Sequence, residues 1–220
     1  MDYTKVIIAV VSLIVVVLVQ YFVVQPMVIG IRRKKNPREA VRYFRKMGFL
    51  SEYASLSDEE LVSKLQQMYQ VDREGPLDDS EGLLDMDLLT FDETRVLYQD
   101  IECDVAMGED VYVWVLEKLA AISRGAFQPK NIKESWEEPQ GPIEVSCTLN
   151  GEKQVLHPGF NYDYLDSSIL DDINRMIKDS GYFFFIYPPF SQSMFITVLT
   201  MKELRKLITE RRWEWKRKVM

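Results

Sequence analysis

Hydrophobic and polar side chains are separated along this chain. Between Lys5 and Arg32 no charged residue occurs, and 21 of the 26 intervening positions are apolar, interrupted only by Ser12, Gln20, Gln25, Pro26 and Gly30. The 19 residues from Val6 to Val24 predict a helix. At about 1.5 Å per residue it would cross the roughly 30 Å hydrocarbon layer of a bilayer. A soluble helix of that length needs a polar face, and a cleaved signal peptide has an apolar core of only about 7–15 residues ending at a small-x-small site. Here the run continues through Tyr21, Phe22, Val23 and Val24 before meeting Arg32, Arg33, Lys34 and Lys35. Residues 1–31 are therefore expected to be an uncleaved single-pass anchor, held in the lipid bilayer through residues 6–31.

After the anchor the periods are those of a globular chain. Asn36-Pro37 reads as a cap with proline at the first helical position, and Gly48 closes a short basic helix carrying Val41, Phe44 and Met47. That helix is expected near the membrane surface. Ser57 and Glu60 form a capping box for a second helix through Leu61, Leu65 and Met68 to about Gln70. Residues 71–90, with Gly75, Pro76 and Gly82 among many acids, read as a loop or linker. From Thr90, with Glu93 three residues on, Val96, Leu97, Ile101 and Val105 fall at helical spacing, a strand over Arg95–Gln99 being the alternative. A helix from Asp110 carries Val111, Val115, Leu116, Leu119 and Ile122 and stops at Ser123-Arg124-Gly125, and a short helix is expected from about Pro129 to Trp136.

The last third alternates strands with helices. Ile143–Leu149 and Glu152–His157 flank Asn150-Gly151, a two-residue hairpin signal because both turn positions need positive φ. Ser167 and Ser168 are placed to cap a helix containing Ile169, Leu170, Ile173, Met176 and Ile177, which Gly181 ends. Tyr182–Tyr187, broken by Pro188-Pro189, matches Met194–Leu199 as a second pair of strands, and Thr200 with Glu203 opens a last helix with Leu204, Leu207 and Ile208 inside. The expected fold is α+β, an antiparallel β-β-α-β-β-α domain over residues 90–220, preceded by a helical and acidic segment over residues 32–89.

Composition sharpens this division. The chain is 47% hydrophobic and 28% charged; without its first 31 residues it is about 43% hydrophobic, slightly below the globular norm. A wholly soluble protein, a multi-span transporter, a collagen-like chain and a mostly disordered chain are all excluded. The formal net charge of −7 is itself an average: residues 32–46 carry +7, residues 47–201 carry −19 and residues 202–220 carry +5. The basic run beside the span places the large domain in the cytoplasm. Two unclustered cysteines, Cys103 and Cys147, form no extracellular disulfide framework. An acidic middle argues against nucleic acid as a partner. It would also be repelled by anionic lipid heads that attract the basic run, so the domain is expected to hang away from the bilayer. The densest part, Asp72–Asp110, holds 14 acids against Arg73 and Arg95. Such acidity serves solubility, and it can also capture a basic protein by long-range attraction.

Candidate chemistry is sparse. Neither Gly75 nor Gly82 sets an EF-hand register with Asp at the first position, the single His157 and the two cysteines lack zinc spacing, and no glycine-rich phosphate loop or GxSxG elbow is present. No cofactor is expected. Asp163, Asp166, Asp171 and Asp172 surround the start of the Ile169 helix, where the helix dipole favours them. With Tyr164 and Tyr162 they could form a contact surface, or as paired carboxylates they could serve a hydrolase. The tail Arg211-Arg212-Trp213-Glu214-Trp215-Lys216-Arg217-Lys218 interleaves aromatics with cations. It could pair with the acidic domain or rest on a membrane interface.

The stretch Ser123-Arg124-Gly125-Ala126-Phe127-Gln128-Pro129, then Trp136, Gly141-Pro142-Ile143 and Asp166 before the Ile169 helix, resembles α+β domains of bacterial proteins, some of the immunity-protein kind. The resemblance covers roughly residues 90–213 and implies a fold rather than an activity. It also implies a partner class, since an acidic immunity domain neutralises a toxin by binding it. The expected function is a membrane-anchored, cytoplasmic, non-enzymatic protein-binding domain with an acidic contact face. The alternatives are an immunity protein acting on a basic toxin and a membrane-tethered hydrolase using the clustered carboxylates.

Overall fold

A computed structural model describes residues 35–72, 76–78, 84–190 and 193–213. The expected anchor, with Arg32, Arg33 and Lys34, lies outside the described residues. Among the described residues no helix is long and apolar enough to cross a membrane.

Helix α1 (Pro37–Lys46) starts as its sequence demands: the Asn36 side-chain oxygen accepts the amides of Arg38 and Glu39, and Pro37 occupies the first turn. It buries Ala40, Val41 and Phe44. A neighbouring row, Arg38, Arg42 and Arg45, pairs with Glu59 and Asp58 of the next helix, Arg38 and Arg42 staying more than half exposed. Helix α2 (Asp58–Asp72) carries the Ser57/Glu60 capping box, with the Ser57 amide donating to Glu60 Oε2 at 2.7 Å and the Glu60 amide to Ser57 Oγ at 3.2 Å. The segment expected to be a loop contains helix α3 (Leu84–Leu89), all six residues of which are buried, Asp85 and Asp87 included.

Strand β1 (Val96–Asp100) replaces the helix expected from Thr90. Thr90 does not cap; its hydroxyl donates to the Asp87 carbonyl, while Asp92 accepts the Thr94 amide and hydroxyl and closes a turn. Helix α4 (Val111–Ile122) follows. The short helix expected near Pro129 is instead strand β2 (Lys130–Trp136), in which Ile132, Glu134 and Trp136 alternate inward. Strands β3 (Ile143–Leu149) and β4 (Glu152–Leu156) form the Asn150-Gly151 hairpin, both turn residues having positive φ. Helix α5 (Ile169–Met176) leads through a short 3-10 turn to Gly181, and strands β5 (Tyr182–Phe190) and β6 (Ser193–Thr200) pair antiparallel. The Thr200/Glu203 capping box opens helix α6 (Met201–Lys206), which widens into a π turn over Leu207–Arg211. The wider turn buries Leu207 but leaves Ile208 43% exposed.

The two hairpins do not share a sheet. Each gains a third strand from a segment with a helical period, giving two antiparallel sheets in the orders β1-β6-β5 and β2-β3-β4. The first is buried on both faces, and alternation along its strands divides the core in two. Leu97, Phe184, Met194, Ile196 and Val198 face a cluster built with α4, α5 and the second sheet. Val96, Phe185, Phe195 and Leu199 face another, built with α1, α2, α3, α6 and Trp213. This sheet is the middle layer of the molecule.

Candidate functional site

The residues singled out from the sequence are dispersed among structural tasks. Asp166 accepts the Gly159 amide at 2.7 Å on one carboxylate oxygen and the Ser168 amide at 2.9 Å on the other. It does the capping expected of Ser167 and Ser168; Ser168 makes no side-chain cap bond. Asp172 pairs with Arg175 one turn along α5, and Asp171 lies half-buried in its first turn. Tyr164 is half-buried and bridges to Glu102, while the carbonyl of exposed Asp163 accepts the amides of Cys103 and Val105. Lys35, expected to flank a membrane, donates to Asp85 at 2.9 Å. Burial, with Asp100 adding to it, pushes the Cys103 thiol above its ordinary pKa, and burial does the same to Cys147, which lowers their thiolate content at neutral pH. Among the described residues, no three His, Cys, Asp or Glu side chains converge to hold a metal ion.

A different constellation is assembled by hydrogen bonds that run from β2 to the loop before α5. Glu134 points inward from β2 and uses both oxygens: Oε1 accepts the Trp136 indole N–H at 2.6 Å and Oε2 accepts the Tyr112 amide at 2.8 Å. It thereby caps α4, whose own Asp110 makes no cap bond. The Tyr112 hydroxyl in turn accepts the Asp166 amide at 3.1 Å, and burial pushes its pKa up to about 12. Through Asp166 and Gly159 this chain fixes the loop bearing Phe160 and Tyr162.

The three aromatic rings stack across that loop. Trp136 meets Phe160 edge-on at 5.9 Å between ring centres, and Phe160 meets Tyr162 at 5.6 Å. Trp136 and Phe160 are half-buried against the core, while Tyr162 is 75% exposed and has φ of +53°. A tyrosine in the left-handed region costs about 1–3 kcal/mol. Such a conformation, kept at the outermost member of an aromatic stack, presents the ring and phenol to solvent beside Asp163. Tyr162 is legible in the sequence as an interface type; Glu134 and the inward face of Trp136 are not, because the β2 segment reads with a helical period, and Phe160 lies in a loop that no period marks.

A second feature is an open groove of about 440 Å³ lined by Gln154, Val155, His157, Asp172, Arg175 and Met176. It sets the one histidine near the Asp172–Arg175 pair on a wide, shallow surface.

The chain matches no protein-family model, no curated protein and no solved structure.

Proposed function

We propose that this is a single-pass membrane-anchored protein whose cytoplasmic α+β domain binds a basic protein segment through the Trp136–Phe160–Tyr162 stack and its acidic surroundings. The observation that carries the reading is Tyr162, three-quarters exposed and held at positive φ next to exposed Asp163. An exposed, pre-positioned aromatic gives contact area at small entropic cost, and a ring face attracts Lys or Arg. The charge of this side of the sheet agrees: residues 101–181 hold 15 acidic and 7 basic side chains, a net of −8, so the rest of the chain is close to neutral. A basic toxin held by an immunity domain would be one partner of this class.

The probes are a Lys/Arg-rich peptide and an acidic peptide of equal length, titrated against the full chain in nanodiscs. The basic peptide should bind, and its affinity should fall as salt rises from about 50 to 300 mM, because rim charges are screened over about 10 Å at 0.1 M. Tyr162→Ala should weaken binding by about tenfold, the loss of roughly 1.4 kcal/mol typical of an interface aromatic, with the melting temperature close to that of the wild type. Equal binding of both peptides, or unchanged affinity in Tyr162→Ala, would refute the reading.

A further inference from the structure

Strand β4 forms one edge of the second sheet, β2-β3-β4. In a two-residue hairpin the residues flanking the turn exchange both backbone bonds, and bonded pairs then alternate with unbonded ones. Leu149 and Glu152 flank Asn150-Gly151, so Cys147–Gln154 and Val145–Leu156 are the next bonded pairs of the register. Lys153 and Val155 therefore turn their N–H and C=O groups away from β3, and among the described residues none bonds to those groups. Two other edges are closed. On β5 the Asn174 side chain accepts the Phe184 amide at 2.7 Å and donates to the Phe184 carbonyl at 2.9 Å. On β2 a register irregularity between Lys130 and Lys133 breaks the edge. The open β4 edge instead lines the 440 Å³ groove, whose other wall is Asp172, Arg175 and Met176 of α5. One flank of α5 thus closes β5 through Asn174, while the other stands off from β4 and leaves room between them.

We infer that the basic protein segment lies in this groove as an extended strand added to β4. This mode presupposes the basic-segment reading above and says how the segment is held. Unpaired backbone donors and acceptors on a strand edge are matched by the backbone of another extended chain. With α5 as its far wall, the groove suits a single strand rather than the edge of a second folded sheet. Alternate side chains of that strand point toward α5. There the stem of a Lys or Arg lies on half-buried Met176 while its charged head reaches Asp172. Asp172 is paired with Arg175 of its own helix, whose side chain is 72% exposed, and a surface pair of this kind is exchanged at little cost. The groove also runs into the aromatic stack. His157 ends its β4 wall, and Pro158-Gly159 lead directly to Phe160 and Tyr162. A strand leaving the groove at that end meets the Tyr162 ring and Asp163, so backbone pairing and cation recognition act on one continuous segment.

The test titrates the Lys/Arg-rich peptide into the full chain in nanodiscs and follows amide exchange residue by residue. With peptide bound, the Lys153 and Val155 amides should exchange about tenfold more slowly, whereas those of Gln154 and Leu156, already bonded to β3, should change little. The same peptide N-methylated at every residue keeps its charges and side chains but donates no backbone hydrogen bond, and it should bind about tenfold more weakly. A peptide that binds and is weakened by Tyr162→Ala, yet leaves both amides exchanging as in the free protein, overturns strand addition and leaves the stack reading standing. Equal affinity of the methylated peptide does the same. No binding of the basic peptide overturns both. Protection of Lys153 and Val155 that needs no peptide and rises with protein concentration places a second copy on the edge and overturns a foreign segment there.

Discussion

Asp85, Asp92 and Arg95 are buried charges whose partners come from distant parts of the chain, which is why no local pattern revealed them. Asp92 accepts the Leu50 amide at 2.7 Å, and Arg95 donates to the carbonyls of Met47 and Val198 with Phe49 packed 3.8 Å from its guanidinium. In the sequence all three fall in the Asp72–Asp110 stretch, where the excess of acids suggests a solvated surface. The segment Leu84–Leu89 reads as part of a loop or linker because a six-residue helix is too short for its period to be read. Removing one partner of a buried ion pair leaves the other uncompensated. Asp85→Ala should therefore cost about 3–5 kcal/mol, whereas Asp171→Ala, which removes only a first-turn acid from α5, should cost no more than about 1 kcal/mol. Denaturant unfolding of the two variants measures the difference.

The elements that could be read directly are those with local punctuation: the Asn36, Ser57 and Thr200 caps, the Asn150-Gly151 turn and the glycine stops. Less direct are β1, whose segment offers a helix with a strand over Arg95–Gln99 as the alternative, and β2, which reads as a helix, and the cause is physical. Because the β1-β6-β5 sheet is buried on both faces, Val96 and Leu97 point to different cores, and the alternation that marks a half-buried strand disappears. In β2 a register irregularity between Lys130 and Lys133, with Asn131 at positive φ, disrupts the period at its start. Between the layers, Glu203 at the start of α6 receives Arg95 from below and Arg124 from the end of α4. Burial raises its pKa, but the Thr200 hydrogen bonds and both arginines outweigh that and hold it below the ordinary glutamate value. A lowered carboxyl pKa contributes stability that is present above the unfolded value of about 4.3 and is lost as pH falls through the folded value. Glu203→Gln should thus be less stable at neutral pH by about 2–4 kcal/mol, since Arg95 keeps its burial and loses its counter-charge. Its stability should also fall less steeply than wild type below pH 4, as read by thermal unfolding across a pH series.

For the described residues, the central sheet separates a layer that holds Lys35 and Trp213 from a layer, residues 101–181, that carries a net charge of −8. The sequence contained the charge segregation and the apolar run, and these led to the expected location. It did not contain the folding back of Arg211 and Trp213 onto Asp85, because that contact spans more than 120 residues. Only with that contact do Lys35 and Trp213 come together on one side of the central sheet, with Tyr162 on the far side of a sheet packed on both faces. The most direct test adds a nitroxide-labelled Lys/Arg-rich peptide to the full chain in nanodiscs and reads which amide signals it broadens. The account predicts strong broadening over residues 160–163 and little over residues 204–213. Equal broadening of the two segments, or more over 204–213, would contradict it.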